Sequence, residues 1–398
     1  MDNLMIPITK PWIGEEEILA ATKVLQSGWI SQGPCVTKFE QAFADYVGGK
    51  HACAVSSCTT ALYLALVAIG VKPGDEVITV SHSFIATANS IRYCGATPVF
   101  VDICPETFNI DPALIESAIS ERTKAILCVH QLGMPCDLPR ILDIASRYGL
   151  PVIEDAACAI GSEIRIRDSW ERIGKPHGDI ACFSFHPRKV ISTGEGGMLT
   201  TNNADWDHRF RLLRQHCMSV PDTTRHNSSE VIVEAYPDLG FNFRMTDVQA
   251  AIGCEQLRRL PKIINKRREL ASRYRSLLSQ IPGMGLPAEP DWARSTWQSF
   301  CVRLPQESNQ RQVMQLMLDA SVATRRGVMC SHREAAYPPG SWSCNGKSKH
   351  CDCPGGSCQR LRQSEESQDT SIILPLFPGM SFEQQDRVAQ ALRDALHA

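Results

Sequence analysis

The chain has 398 residues, 43% of them hydrophobic and 21% charged, with a formal net charge of −2. That length and balance belong to an ordinary globular protein with one large core and room for a smaller unit, and they exclude a chain too polar to fold. No excess of basic residues is available to neutralise phosphates, which argues against nucleic acid or an anionic membrane as the main partner.

The start, Met-Asp-Asn-Leu-Met-Ile-Pro, lacks the charged-then-apolar pattern of a signal peptide. The longest apolar run, Ala61 to Val71, is too short to span a bilayer, so the chain reads as a soluble cytoplasmic protein. Its 17 cysteines are odd in number and scattered. They read as reduced core residues rather than a disulfide framework.

In chain order, apolar residues recur at intervals of three and four from Gly14 to Ser27 and from Thr37 to Val47, which predicts two amphipathic helices. The polar link Gly28 to Gly33 between them carries Trp29, for which packing is the first reading. His51 to Ser56 reads as a strand, and Ser56-Ser57-Cys58-Thr59-Thr60 leads into an apolar helix from Ala61 to Ile69. Hydroxyl residues at a strand-to-helix turn supply an N-cap, and free amides behind them can seat a phosphate; capping alone explains them equally well. Strands and helices then alternate: strand Glu76 to Val80, helix Ile85 to Tyr93, strand Thr97 to Asp102, helix Pro112 to Ile119, strand Lys124 to His130, helix Leu138 to Tyr148, strand Pro151 to Glu154. This order predicts a mostly parallel sheet between helices, with Phe84, His130, Asp155 and Ser184 at or just after strand ends, where open α/β sheets bind ligands.

Asp155 follows a buried strand and precedes Ala156 and Ala157, a setting that suits the nitrogen of a flat pyridinium ring. From Asp179 to Thr201 the chain reads as a strand (Ile180 to Phe185), a loop bearing Lys189, a turn with Gly194, Gly196 and Gly197, and a strand starting at Met198. A lysine held between two strands, beside glycines that let a flat ligand approach, suits a Schiff base with an aldehyde cofactor. A solvated hairpin lysine is the other reading.

A helix is predicted from Ala204 to about Gln215 and a polar loop from Met218 to Glu230. Gly240-Phe-Asn-Phe-Arg-Met-Thr-Asp247 opens a long helical region that reaches about Ile281 with a proline break at Pro261. A large domain over residues 1–255 and a smaller one over 256–398 are expected. The smaller one carries a strand from Ser299 to Leu304, a helix from Asn309 to Ala320, a strand from Val322 to Gly327 and a terminal helix from Phe382 to Leu396. Turn formers make residues 338–366 a long cysteine-rich loop. Cys344, Cys351, Cys353, Cys358 and His350 could bind zinc, but without paired Cys-x-x-Cys spacing a flexible loop is preferred and no metal is assigned.

The segments Glu-Asp-Ala-Ala (154–157), Phe-Ser-Phe-His-Pro-Arg-Lys (183–189), Gly-Glu-Gly-Gly (194–197) and Gly-Phe-Asn-Phe-Arg-Met-Thr-Asp (240–247) resemble the DegT/DnrJ/EryC1/StrS sugar aminotransferases. The resemblance covers residues 5 to 325 or so and resumes from Ile373 to Met380. It implies an α/β protein of PLP-dependent transferase fold type I, aspartate aminotransferase-like, using pyridoxal 5'-phosphate (PLP). By the same resemblance Lys189 carries PLP and moves the proton, Asp155 faces the ring nitrogen and Phe84 stacks on the ring. Cys58 by its backbone, Thr59 and Ser184 by their hydroxyls, and Asn242 from across a homodimer interface hold the phosphate. The family usually has glutamine or histidine near the phenolic oxygen where this chain has Cys158, a weaker donor. Read without the family, Phe84 is a core phenylalanine, Asn242 a cap or loop residue, and His130 structural or pocket-lining, outside the catalytic set.

The implied activity is transfer of an amino group from L-glutamate or L-glutamine to a keto sugar, often nucleotide-linked, or to a cyclitol ketone. Lys189 could carry the proton once its pKa is lowered by burial or nearby cations. Arg244, Arg325 and Arg326 are candidates for the donor carboxylate by type. Two rivals remain: dehydration or aromatisation on the same scaffold, weakened because the family's dehydratases carry histidine in place of the lysine, and a non-catalytic homologue, weakened by the intact lysine, acid and phosphate turn.

Overall fold

The structure is a computed structural model that describes residues 5–220, 225, 228–344 and 357–398. Its helices up to residue 213 are α1 (Glu15–Ser27), α2 (Pro34–Val47), α3 (Cys58–Ala68), α4 (Ala86–Tyr93), α5 (Pro112–Ala118), α6 (Leu138–Tyr148) and α7 (Ala204–Leu213). Its strands in the same stretch are β1 (His51–Val55), β2 (Glu76–Val80), β3 (Thr97–Val101), β4 (Thr123–Val129), β5 (Val152–Asp155), β6 (Glu163–Ile166), β7 (Ser169–Arg172), β8 (Ile180–Ser184) and β9 (Gly197–Thr201). Seven of them form one sheet in the order β1-β9-β8-β5-β4-β2-β3. Strands β3, β2, β4, β5 and β8 run parallel, and β9 runs antiparallel to both β8 and β1. Helices on both faces bury the apolar strands along nearly their whole length, as the expected α/β fold requires.

The topology decides where the chemistry can sit. Because β9 opposes both neighbours, β1 and β8 point the same way, so Val55, Gly197 and Ser184 fall in one cross-strand row. Asp155 ends the next strand on the same side, and the first turn of α3 starts there too. This is the carboxyl edge of the parallel strands, where side chains from separate βα turns converge.

Beyond the sheet lie α8 (Asp247–Leu278), β10 (Ala293–Arg294), β11 (Phe300–Arg303), α9 (Gln310–Asp319), β12 (Arg325–Arg326), α10 (Arg362–Thr370), β13 (Ser371–Leu374) and α11 (Phe382–His397). Helix α8 runs without interruption through Pro261, so the expected break does not occur. A proline inside a helix costs about 3 kcal/mol, but Leu260, Ile263 and Ile264 around it are buried in the main core. Three such side chains, at roughly 1.5–3 kcal/mol each, outweigh it.

Leu260, Ile263 and Ile264 belong to the main core, whereas Leu270, Tyr274 and Leu278 of the same helix pack in a second core with Phe300, Ile372 and Leu392. The strand expected from Val322 to Gly327 shrinks to Arg325–Arg326, paired with β13, while Val322 bridges Ile6. A further three-stranded sheet, β10-β6-β7, escaped sequence reading because its strands are short and charged.

The segment read as one long loop is anchored at both described ends. Ser343 pairs with the edge strand β3, accepting from Phe100 N–H at 2.6 Å and donating to the Pro98 carbonyl at 3.0 Å. Trp342, Cys358 and Leu361 pack with Phe100 in a third cluster. Residues from Arg362 onward are helical rather than loop, because Asp102 caps α10, accepting from the N–H groups of Gln363 and Ser364 at 2.8 Å each. His350, Cys351 and Cys353, on which the zinc alternative rests, lie outside the described residues. Among the described residues fourteen cysteines besides Cys358 carry free thiols, and no helix is long and apolar enough to cross a membrane.

Candidate active site

Asp155 closes β5 with its carboxylate buried. Its Oδ1 accepts from Ala157 N–H at 3.2 Å and its Oδ2 from the Thr87 hydroxyl at 2.8 Å. Ser83 lies 2.8 Å from Thr87 Oγ1. Since Thr87 spends its proton on the carboxylate, Ser83 is the donor in that pair. Strand alternation sends the preceding Glu154 to the opposite face, where it meets His130 Nε2 at 2.9 Å. His130 Nδ1 accepts Cys136 N–H at 3.0 Å, so the ring is the neutral tautomer that donates to Glu154. His130 is thus spent on a buried pair.

The turn after Asp155 presents Cys158, whose Sγ lies 3.1 Å from Lys189 Nζ. Lys189 sits on a loop pinned at several points: its own N–H donates to the His186 carbonyl at 2.8 Å, Gln298 Nε2 donates to the Arg188 carbonyl at 2.6 Å, and Phe185 N–H donates to the Gly196 carbonyl at 2.9 Å. Burial by itself lowers the pKa of the Lys189 amine, but Cys158, by charge and hydrogen bond, together with Asp155 and Cys58, outweighs it and moves the pKa up. The sequence expectation of a lowered value is therefore reversed: the groups facing this amine are acids, not cations.

The turn expected to seat a phosphate is built by Ser57, the N-cap of α3, which accepts from Thr60 N–H at 3.2 Å while Thr60 Oγ1 receives Ser57 N–H at 3.1 Å. This reciprocal capping leaves the amides of Cys58 and Thr59 at the helix start with no acceptor among the described residues. Such free amides at a helix N-terminus suit an anion. The Cys58 thiol is buried, and burial first and Asp155 second push its pKa well above the ordinary thiol value. Gly197 lets β9 lie against this turn, since a β-carbon there would come within 2.4 Å of the Ser57 carbonyl carbon. Ser184, in register with Gly197, accepts weakly from His186 N–H at 3.4 Å and retains lone pairs and its proton.

Phe84 lies between β2 and α4 with 68% of its surface exposed, an open aromatic face, and its carbonyl accepts from the N–H of Thr87 at 3.1 Å. Asn242 is exposed, its backbone bridged to Gln215. The flanking Phe241 and Phe243 stack at 4.9 Å and pack edge-on against Tyr63 of α3, while the Phe243 carbonyl receives Ser56 N–H at 2.8 Å. Of the candidate arginines, Arg325 and Arg326 are exposed, Arg326 paired with Glu334 at 3.2 Å, and Arg244 is half-buried.

Asp155, Cys58, Cys158 and Lys189 are thus close enough to act on one another electrostatically, and Ser184 is one register row from the phosphate turn. Sequence reasoning missed Thr87, Ser83 and Gln298. Nothing in the pattern marks a threonine in the first turn of α4 as a carboxylate partner. A buried acid, a half-buried amine, an open aromatic face and, among the described residues, a seat of unpaired amides fit a flat phosphorylated aldehyde with a basic ring nitrogen.

Comparison with known proteins points the same way. The model of the DegT/DnrJ/EryC1/StrS aminotransferase family matches residues 11–393. The spore coat polysaccharide biosynthesis protein SpsC of Bacillus subtilis (strain 168) is 38% identical over 396 residues, 98% of this chain and 97% of that protein. GDP-perosamine synthase of Caulobacter vibrioides is 46% identical over 277 residues, 69% of this chain and 71% of that one. The PLP form of the putative sugar aminotransferase Spr1654 from Streptococcus pneumoniae superposes with a TM-score of 0.86 at 26% identity, covering 99% of each chain.

Proposed function

The chain belongs to the DegT/DnrJ/EryC1/StrS aminotransferase family, a PLP-dependent family of sugar biosynthesis, and we propose that it moves an amino group from L-glutamate or L-glutamine to a keto sugar, often nucleotide-linked. The perosamine synthase and the spore coat polysaccharide protein among its relatives support a sugar acceptor. The observation that carries the reading is the contact of Lys189 with Cys158 within electrostatic reach of the Asp155 carboxylate, beside the unpaired amides of Cys58 and Thr59.

Bound PLP supplies an aldehyde that condenses with amines and a ring that spreads the charge left when a proton departs. We assign Lys189 Nζ two tasks: it would hold the cofactor and, as a free amine, would take and return the substrate proton. The Asp155 carboxylate, held in place by Thr87 and Ala157, would accept from the ring nitrogen and favour its protonated form. Cys58 N–H, Thr59 and Ser184 would bind the phosphate, and Phe84 would cover the ring. Retention of Lys189 favours transfer over the dehydration reading.

Asn242 of the partner subunit completes the phosphate site in a proposed homodimer. The exposed apolar side chains Val231, Val233, Tyr236 and Leu239, just before Asn242, support a surface that a second copy covers. The two main cores support a large PLP-binding unit and a smaller unit, with α8 passing from one core to the other between Ile264 and Leu270 rather than at the expected residue 256. Free cysteines among the described residues agree with a cytoplasmic home.

The test is a spectral titration of purified protein with L-glutamate and L-glutamine, then mass analysis of products from nucleotide-linked keto sugars. Conversion of cofactor to its amine form and amination of a sugar ketone are expected. In Lys189→Ala the borohydride-trappable adduct disappears. Adduct retained at another lysine overturns the assignment, and release of water without amine transfer favours dehydration.

A further inference from the structure

The Lys189 amine meets ionisable groups from every element around it: Cys158 on the turn after β5, Asp155 at the end of β5 and Cys58 at the start of α3. His186 lies in its own loop, and Cys182 faces Asp155 from within β8. Among the described residues only Cys158 hydrogen-bonds the amine, at 3.1 Å. The thiol is held to that contact. Ala156 N–H donates to the Cys182 carbonyl at 2.8 Å, Ala159 N–H to the Ala156 carbonyl at 2.9 Å, and Thr296 Oγ1 to the Cys158 carbonyl at 3.3 Å.

Resting on Lys189 as the PLP-bearing lysine, we propose that Cys158 is its proton partner: the thiolate takes one proton from the ammonium, leaving a neutral amine and an S–H, and later returns it. One N–H bond breaks as one S–H bond forms, and no other reactant takes part. The chemistry selects this neighbour from the three. Ordinary lysine and thiol pKa values, about 10.4 and 8.5, lie within roughly two units, so the transfer is uphill by about a hundredfold and the pair rests mainly as ammonium and thiolate, whereas a carboxylate near 3.9 is a far weaker base. Cys58 is kept protonated by burial and by Asp155. A neutral amine is what attack on a carbonyl carbon requires.

The test reads each partner through the other. In the apoprotein, alkylation of Cys158 by iodoacetamide is followed against pH by peptide mass spectrometry. The midpoint is expected at least about one pH unit lower in the parent than in Lys189→Ala, a tenfold difference in rate at fixed pH below it. In parallel, PLP attachment is followed by absorbance against pH in the parent, Cys158→Ser and Cys158→Ala. Loss of the thiolate eases loss of the ammonium proton, so both variants shift their attachment midpoint to lower pH. A sulfur that merely fills space leaves that midpoint unmoved. Equal alkylation midpoints with and without Lys189, or unmoved attachment midpoints in both Cys158 variants, overturn the proposal. If PLP fails to attach to the parent while the alkylation midpoints stay separated, the cofactor reading falls and the thiol–amine pair stands.

Discussion

Gly197→Ala tests the geometry of the phosphate turn with a single methyl group. Its β-carbon would lie 2.4 Å from the carbonyl carbon and oxygen of Ser57 and 2.7 Å from Cys58 N, where ordinary contact is 3.4–4 Å. All three are backbone atoms, so no side chain can swing aside, and main chain must move by about 1 Å. Strand β9 is held by full registers on both sides, to β1 and to β8. The turn is held by the Ser57 cap and by Ser56 N–H on the Phe243 carbonyl, so it is the turn that yields. Displacing the Cys58 and Thr59 amides removes two hydrogen bonds to a dianion, each worth about 1.5–3 kcal/mol, which predicts a PLP dissociation constant weaker by roughly 10²–10⁴. Overpacking adds a stability loss of about 1–3 kcal/mol. Equilibrium PLP binding by absorbance, beside a urea melt of the apoprotein, separates the two effects. A dissociation constant within threefold of the parent would show that the turn does not bear the phosphate as argued.

Thr87→Val removes the hydroxyl that donates to Asp155 Oδ2 while keeping the shape of the side chain. One charged hydrogen bond at about 1.5–3 kcal/mol predicts PLP binding weaker by about 10- to 100-fold, with recovery in Thr87→Ser; equal loss in both variants contradicts the donor role. Pro261→Ala restores a helix N–H in α8 and is expected to raise stability by about 1–2 kcal/mol after the entropy gained by the unfolded chain, read from the urea midpoint; a lower midpoint refutes it. Glu40, buried, accepts from Ala54 N–H at 2.9 Å and pairs with Arg211 at 2.7 Å and with buried Arg214. Burial opposes its ionisation, but the two arginines outweigh this and hold its pKa below the ordinary 4.5. A depressed folded pKa means stability present above 4.5 and lost as pH falls through the folded value. Glu40→Gln should therefore cost about 3–5 kcal/mol at pH 7, with the gap to the parent closing below pH 4.5 in denaturation series; a pH-independent gap would exclude this linkage.

Most of the large sheet was legible because each of its strands is a short apolar run bounded by turn residues, and each crossover helix repeats its apolar positions every three to four residues. Such patterns are set by nearest neighbours along the chain. The small sheet β10-β6-β7 was not, since Glu163-Ile-Arg-Ile166 alternates over only four residues and becomes a strand by pairing with Arg294 and Arg172. Pro261 misled for a related reason. Helix propensity is local, while the burial that overrides it comes from α1 and α2 packing along α8.

In the candidate site, sequence alone picked out an acid at a strand end, a lysine among glycines and hydroxyls at a helix start, because chemistry of that kind demands particular residue types at particular element boundaries. Which neighbours support them was decided only by the folded chain. Thr87 reaches Asp155 across 68 residues, Asp102 caps α10 across 262, and Cys158 meets Lys189 across 31. Those partnerships follow from sheet order and register, long-range properties that no local pattern encodes. They determine how basic the lysine is, how firmly the acid is held, and why residue 197 has no side chain.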